Sequence, residues 1–329
     1  MSHKRYFDLF SIIIPVFNRE SMVIDALDSV KAQTYRPIEI IVVDDGSTDD
    51  TAGAVKHWAA ANGEPGTLTL KYIYQENAGP GAARNRGISE ISGDFVQYLD
   101  SDDRLHPERL AILADTFHGT GADFILTGFE RIDEDTGEVL VRKYGWSDRN
   151  QQELALEGLL WANTLRAAFT AALVADVGPW DASMTCFEDR EYVERAVMLA
   201  TKPIALRTIL ATANGGGSDN LSRRLRSHEG RMFRILCEER LANNVRNRGD
   251  IRLKAKQAFA SRLYALGFRS AASGWPDHHQ RCGEIAASLG VELDTKGKLR
   301  RLVWKSGRIG ALVYIALSKL KTALPSARS

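Results

Sequence analysis

"VQYLDSDDRLHP", residues 96–107, decides how the rest of the chain is read. An apolar run, Val96 to Leu99, ends at three carboxylates in four positions, Asp100, Asp102 and Asp103. Like charges this close repel, so the crowding needs a cause. One reading is a helix N-terminus, because "HPERL" opens a helical pattern and acids are favoured at that end of the helix dipole. The other is a hard divalent cation, Mg²⁺ or Mn²⁺, which takes oxygen ligands: one or two carboxylates, completed by substrate phosphates. Three acids directly after a buried strand exceed what capping needs, and this favours the cation.

The same texture recurs on either side. Apolar, β-branched runs lie at Phe10–Val16, Ile38–Val43, Leu68–Tyr74, Phe95–Leu99 and Asp123–Thr127. Runs apolar on both faces suit buried parallel strands. Helical patterns alternate with them at Glu20–Gln33, Asp49–Ala61, Pro80–Ile91 and Pro107–Phe117. Strand, helix, strand at this rhythm predicts a three-layer α/β sandwich around a mainly parallel central sheet. Ligands in such sheets bind beyond the carboxyl ends of the strands. Asp44–Asp45 and Asp100–Asp103 both fall there.

From 128 to 220 the pattern is less regular. "GFERIDEDTGEVLVRKYG" predicts a hairpin turning at Asp135–Gly137, and "EDREYVERAVMLA" a helix with acids in its first turn. "TANGGGSDNLSRR", with three consecutive glycines, predicts a mobile loop. From 221 to 329 the pattern is helical and ends in a basic tail.

Individually the motifs leave choices open. "IPVFNRE" punctuates strand one, with Asn18 or Glu20 able to start the helix. In "IIVVDDGSTDDT" Gly46 permits a tight turn and Ser47 or Thr48 can cap a helix. Capping accounts for one of the two acids, and a base or ribose would account for the other. "QENAGPGAARNRG" opens a helix with Gly79 and Gly81 and carries Arg84 and Arg86. That suits an anionic phosphate or a solvated basic helix. "CFEDREY" puts Glu188 and Asp189 at a helix start; locally, complementarity to the helix dipole explains them as well as a general base does.

Taken in order, "SIIIPVFNRE", "IEIIVVDDGSTDDT", "NAGPGAARNRGI", "GDFVQYLDSDDRLHP" and "VGPWDASMTCFEDREYVERA" resemble family 2 glycosyltransferases of the GT-A fold, over about residues 9–200. The resemblance implies a catalytic domain at 1–220, with nucleotide-sugar binding in 1–127 and acceptor binding in 128–220, followed by the helical region 221–329. It implies that Pro15, Phe17, Asn18, Glu20 and Asp45 hold the nucleotide base. Asn77, Gly79, Arg84 and Asn85 match its glycine-containing motif. Asp100, Asp102 and Asp103 match its acidic motif, with Asp103, and Asp102 beside it, on a Mn²⁺ or Mg²⁺ ion. Glu188 and Asp189 match its later acidic pair, Asp189 being the general base of an inverting transfer and Glu188 lying on the acceptor side with Trp180. Two departures stand out: Phe17 where the family more often has Tyr, and "FEDREY" where it commonly has "GED" and a Trp.

Composition sets the remaining bounds. The chain has 44% hydrophobic and 26% charged residues, which places it among ordinary soluble proteins. Cys186, Cys237 and Cys282 are widely spaced and odd in number, fitting a reducing cytosol and no disulfide framework. No signal peptide is expected in "MSHKRYFDLF", and no apolar run reaches 18 residues. Residues 295–329 hold nine Lys or Arg and no acid, although the whole chain carries only +1. The remainder is therefore acidic, which argues against nucleic-acid binding. The tail mixes these cations with Trp304, Ile309, Leu312, Val313, Tyr314, Ile315 and Leu317. It reads either as an amphipathic helix in an anionic membrane interface, placing the protein at the inner face of the cell membrane, or as a helix packed on the domain. The 215–217 glycines read as a lid over the donor or as a connector. His278 and His279 are expected in a surface loop. A UDP-sugar donor and a glycan or lipid-linked acceptor complete the expectation. A sugar nucleotidyltransferase needs a glycine-rich loop with Arg and Lys after strand one, and a dehydrogenase needs G-x-G-x-x-G there; "PVFNRESM" supplies neither. A catalytically inactive nucleotide-binding scaffold would not need Asp45, Asp103 and Asp189 together.

Overall fold

β1 (Phe10–Val16) is the strand around which the site is built. Its register with β2 (Ile38–Asp44) is parallel and runs to Val16↔Asp44, whereas its parallel pairing with β4 (Phe95–Tyr98) stops at Ile13↔Tyr98. Odd-numbered residues of β1 turn their backbone groups toward β4, as the Leu99 N–H to Ile13 O bond of 3.0 Å shows. Pro15 stands two residues further on, past the last β4 partner. Its missing N–H costs no ladder bond there, and a crevice opens between the ends of β1 and β4.

The computed structural model describes residues 8–133, 136–144, 150–157, 163–214, 227–246, 249–293 and 295–305. The chain divides into two units, Met1–Gln151 with Trp161–Asn220, and Gln152–Leu160 with Leu221–Ser329. In the first, the sheet order is β3 (Leu68–Tyr74), β2, β1, β4, β8 (Ala167–Thr170), β6 (Phe124–Ile132), β9 (Pro203–Asn214), β5 (Arg104–Leu105), with β7 (Val139–Lys143) paired to β6. Chain order reverses between β1 and β4, the switch point where ligands of open α/β sheets bind.

Helices cover both faces, as the alternation of apolar runs predicts. α1 (Met22–Lys31) buries Val23, Ala26, Leu27 and Val30, one stripe at helical spacing. They join α2 (Thr51–Asn62), α4 (Arg109–Thr120) and the even-numbered side chains Phe10, Ile12, Ile14 and Val16 in one core. Each such fully buried aliphatic or aromatic side chain contributes about 1.5–3 kcal/mol. On the opposite face α3 (Pro80–Ile88) approaches β1 so closely that a Cβ on Gly87 would lie 2.5 Å from Ile13 Cγ2.

Of the five runs read as parallel strands, β1 to β4 are parallel; the fifth, at β6, is antiparallel to β7 and β8 and parallel only to β9. Beyond β4 the sheet is mixed: β8 enters antiparallel to both β4 and β6, and β9 returns parallel to β6. β5, β8 and β9 are not visible as apolar runs, because two are very short and β9 mixes Lys202-flanked, charged and small residues. Thr212–Asn214 end β9, so the expected loop starts later than its composition suggests; residues 215–226 lie outside the described residues. The β6–β7 hairpin forms as expected, with Gly137 at φ 70° and its N–H on Asp133 O; Asp135 lies outside the described residues.

The second unit contains α5 (Gln151–Glu157) except its first residue, with α8 (His228–Val245), α9 (Leu253–Ala272), α10 (Pro276–Ser288) and α11 (Thr295–Lys305). Glu153, buried on α5, receives the Arg252 side chain through Nε at 2.5 and 2.7 Å. His278 and His279 are not in a surface loop. They sit on α10, His278 buried and His279 stacked on Trp304 at 5.0 Å. Trp304 lies against Gly283 and donates to His279 O at 3.1 Å. That aromatic of the basic tail is therefore spent on packing, while Leu302 is 65% exposed. The tail beyond Lys305 lies outside the described residues. Among the described residues no helix is long and apolar enough to cross a membrane.

Candidate active site

One half of the candidate site forms at the carboxyl ends of β1, β2 and β3. Phe17 follows β1 and is 45% exposed, a large apolar ring left open to solvent. Asn18 takes a positive φ of 51°, which Asn tolerates better than most residues. Its N–H donates to Ser47 Oγ at 2.9 Å and its Oδ1 accepts from Thr48 N–H at 2.7 Å, tying the β1 loop to the "DGS" turn. Glu20 is exposed and Pro15 half-buried.

The two adjacent acids divide their work. Asp44 is the structural one: its carboxylate accepts from Ser47 N–H at 2.8 Å and Tyr72 OH at 2.6 Å. Asp45 holds the next loop. Gln75 Nε2 (2.7 Å) and Ala78 N–H (2.9 Å) donate to its Oδ1, and Gly79 N–H (2.8 Å) to its Oδ2. A carboxylate has about four acceptor sites, so three protein donors leave room for one N–H from a base. Gly46, at φ 84°, lets the turn pass under exposed Asn77, whose backbone N would lie 2.8 Å from a Cβ there.

Arg84 is where the structure sharpens the sequence reading most. It is 3% exposed, and its guanidinium is not open to solvent. Nη2 donates to Asp100 Oδ1 at 2.8 Å, Nη1 to Glu188 Oε1 at 3.3 Å, and the group lies 4.6 Å above the Trp180 ring. Burial pulls its pKa down, but Asp100 and then Glu188 outweigh burial and hold it above the ordinary arginine value. The acids after β4 and the acids of α7 (Glu188–Leu199) thus meet on one cation.

Asp103 is 9% exposed, at the end of the turn closed by its N–H on Asp100 O (3.0 Å). Burial, then the charges of Asp100 and Asp102, push its carboxyl well above the usual carboxylate range; a bond from Asn214 N–H (3.2 Å) and the nearby Arg131 oppose this. Asp102 is half-buried beside it. A cation would relieve this crowding. The donors are all oxygen, the chemistry a hard divalent ion prefers, and one or two carboxylates with substrate phosphates are the ordinary Mg²⁺ arrangement; among the described residues no cluster of three or more His, Cys, Asp or Glu side chains could hold an ion by itself.

Asp189 is the second residue of α7, one past Glu188, which follows Phe187, a non-glycine residue at φ 63°. Strain of this kind collects at functional sites. Asp189 Oδ1 accepts from Arg190 N–H at 2.6 Å. Burial, then the neighbouring Glu188 charge, push its carboxyl up to about 7, against the pull of Arg84. Trp180 is only 2% exposed and stacks on Tyr192 at 4.0 Å. It lines Arg84 rather than an open acceptor surface. Asn214, Arg131, Gln75, Tyr98 and Tyr192 belong to this neighbourhood although the quoted motifs assign them no role. Gln75 alone had a signal, its position two residues before Asn77.

The site thus combines an α/β sheet, acids at its switch point and a raised carboxyl on α7. Residues 11–171 match the family model described as Glycosyl transferase family 2. Glycosyltransferase GlyA of Streptococcus pneumoniae is 36% identical over 130 residues, 40% of this chain and 18% of that protein. Putative glycosyltransferase EpsH of Bacillus subtilis is 34% identical over 130 residues, 40% of this chain and 36% of that protein. Among solved structures, S. aureus TarS 1–349 in complex with UDP-GlcNAc aligns with TM-score 0.69 at 20% identity, covering 92% of this chain and 88% of that one. Mannosyltransferase PcManGT from Pyrobaculum calidifontis, in complex with GDP-Man and Mn²⁺, aligns with TM-score 0.54 at 18% identity, covering 94% and 87%. Residues 11–171 are thus similar to family 2 glycosyltransferases, and the fold is that of GT-A glycosyltransferase structures, followed by a helical region. The chain matches well under two thirds of the length of the two curated relatives.

Proposed function

We propose that the protein is an inverting glycosyltransferase that moves a sugar from a UDP-sugar to a hydroxyl acceptor with help from Mn²⁺ or Mg²⁺. The observation that carries this is the Arg84 bridge: one buried guanidinium binds Asp100 of the donor-side cluster and Glu188 of the α7 pair. It holds the two halves of a single-displacement site in one cleft.

In this reading Phe17 stacks on the base, and the last acceptor position of Asp45 takes a base N–H. Asp103, with Asp102, would hold the cation; when bound, it offsets charge developing on the departing diphosphate. Asp189, poised near neutrality, accepts the acceptor's proton as its oxygen bonds the anomeric carbon and the bond to the diphosphate breaks. Glu188 keeps Arg84 in place and raises the basicity of Asp189. A neutral amide at 189 would keep the shape and lose the proton acceptor. The UDP preference draws support from the UDP-GlcNAc complex of a structurally similar transferase, and the cation from the Mn²⁺ complex of another.

The acceptor is a polysaccharide or cell-envelope glycan, or its lipid-linked precursor, reached at the inner membrane face through the basic tail. Nine cations without an acid in residues 295–329 support that placement. A screen of nucleotide sugars by thermal shift, with and without Mn²⁺, tests the donor assignment. A Mn²⁺-dependent rise with UDP and UDP-sugars is expected; no response to any nucleotide would overturn it.

A further inference from the structure

Asn85 follows Arg84 on α3, and its amide makes a two-way lock on a residue far along the chain. Nδ2 donates to Trp180 O at 2.9 Å, and Trp180 N–H donates to Oδ1 at 2.7 Å. A primary amide both donates and accepts in this way. A carboxylate of the same shape accepts only, and a hydrocarbon does neither. Across the same loop, Arg195 of α7 donates through Nη2 to Pro179 O at 2.9 Å. The loop before Trp180 is thus tied to α3 on one side and α7 on the other.

What the lock holds is the indole. It lies flat on Tyr192, with ring centroids 4.0 Å apart and planes 3° from parallel, and Arg84 lies 4.6 Å over it. Trp180 Nε1–H donates to Tyr98 OH at 3.2 Å, which is 3.2 Å from Tyr192 OH. Tyr192 is one helical turn from Glu188 and Asp189 on α7. Moving the indole therefore moves both the guanidinium above it and the helix face beneath it.

The geometry points to Asn85 and Trp180 as a positioning pair, one that touches neither donor nor acceptor and holds Arg84 between Asp100 and Glu188 while setting the first turn of α7. This rests on the reading of Asp189 as the base. It predicts a loss in the chemical step without a loss in nucleotide binding, because Phe17, Asp45 and Asp103 lie on other elements.

The test uses the full chain with Asn85→Ala and Trp180→Phe, the latter keeping a ring on Tyr192 but losing the indole N–H. Three readouts are compared: UDP affinity with Mn²⁺ by calorimetry, kcat and KM for UDP-sugar consumption, and the titration of Asp189 by ¹³C-carboxyl NMR, assigned with Asp189→Asn. For Asn85→Ala the expectation is a UDP affinity within about twofold of wild type. Its kcat falls about 10- to 100-fold, the range for a small misplacement of reacting groups, with KM for the donor unchanged. The Asp189 titration moves up as Arg84 is released. Trp180→Phe changes in the same directions and less. Wild-type kcat and titration in Asn85→Ala would overturn the proposal. So would a UDP affinity that falls in step with kcat, the mark of a merely structural role. If Asn85→Ala does not fold, unchanged titration in both Trp180→Phe and Tyr98→Phe overturns it. If wild type consumes no nucleotide sugar, the catalytic reading fails by itself, and the titration still decides whether the lock positions Arg84.

Discussion

Replacing Glu188 by Gln should change the pH dependence of the proposed transfer. Asp189 is pushed up to about 7, first by burial and then by the charge of Glu188. A base must be ionised to act, so kcat/KM should climb with pH: roughly a tenth of the free enzyme is competent one unit below the inflection and roughly nine tenths one unit above, about a tenfold rise from pH 6 to 8. Gln at 188 removes the adjacent negative charge and frees Arg84 from one of its two acids. Both changes favour the ionised base, so the inflection should move to lower pH and the rate at pH 6 should gain on the rate at pH 8. The two acids interact, so the wild-type inflection belongs to the pair. The assay is initial-rate transfer at subsaturating donor from pH 5 to 9. A flat wild-type profile, or an inflection that Glu188→Gln leaves in place, would refute the assignment. Linkage supplies a second check. The folded-state pKa of Asp189 lies above its unfolded value, so folding stability is lost as pH rises from about 4 through about 7. Asp189→Asn should therefore raise Tm more at pH 8 than at pH 4.

Other perturbations separate the parts of the site. Asp189→Asn should keep UDP binding with Mn²⁺ and slow single-turnover transfer by about 10²- to 10⁴-fold; near wild-type turnover would remove Asp189 as the base. Asp103→Ala should abolish the Mn²⁺-dependent part of UDP binding in calorimetry, and an unchanged affinity would take Asp103 out of the cation site. Gly87→Ala gains helix propensity of up to about 1 kcal/mol but drives a methyl into Ile13, a buried clash of the kind that costs about 1–3 kcal/mol. Denaturation should show a net loss, and Ile13→Ala in the same chain should recover part of it. Removing residues 296–329 should weaken binding to anionic liposomes, with salt weakening the intact chain as screening requires; a full-length protein that ignores such liposomes would make the tail a packing element.

What could be read from the sequence was local, and what could not depended on long-range partners. β1 appears at the residues where its apolar run begins and ends, because a strand buried on both faces must be apolar throughout; β3 also matches its run, although as an edge strand it leaves Thr69, Lys71 and Tyr74 exposed. α7 starts at its acids because the dipole rewards them there. β8, four residues of ordinary composition, owes its place to β4 and β6 on either side, and nothing within "AAFT" announces that. The site divides the same way. Asp45 and Asp103 are marked by motif and by crowding. That Asp44 would be consumed by Ser47 and Tyr72 was foreseen only as one acid of two.

Arg84 shows why residue type alone misleads about a site. An arginine at a glycine-rich helix start reads as a phosphate ligand, since a guanidinium on a helix N-terminus suits an anion. Yet both of its Nη atoms are already held, by Asp100 and Glu188, and its face by Trp180. A buried guanidinium needs paired acids more than a solvated phosphate needs it. Its partners sit 16 and 104 residues away, distances over which no spacing rule operates. The same fact gives Arg84 a larger role than direct binding would. Whatever approaches Asp100 from the donor side competes for a charge that also steadies Glu188 and lowers Asp189. In the proposed reading, occupancy of the donor pocket and basicity at the acceptor side are linked through one side chain, and Arg84→Met should raise the inflection that Glu188→Gln lowers.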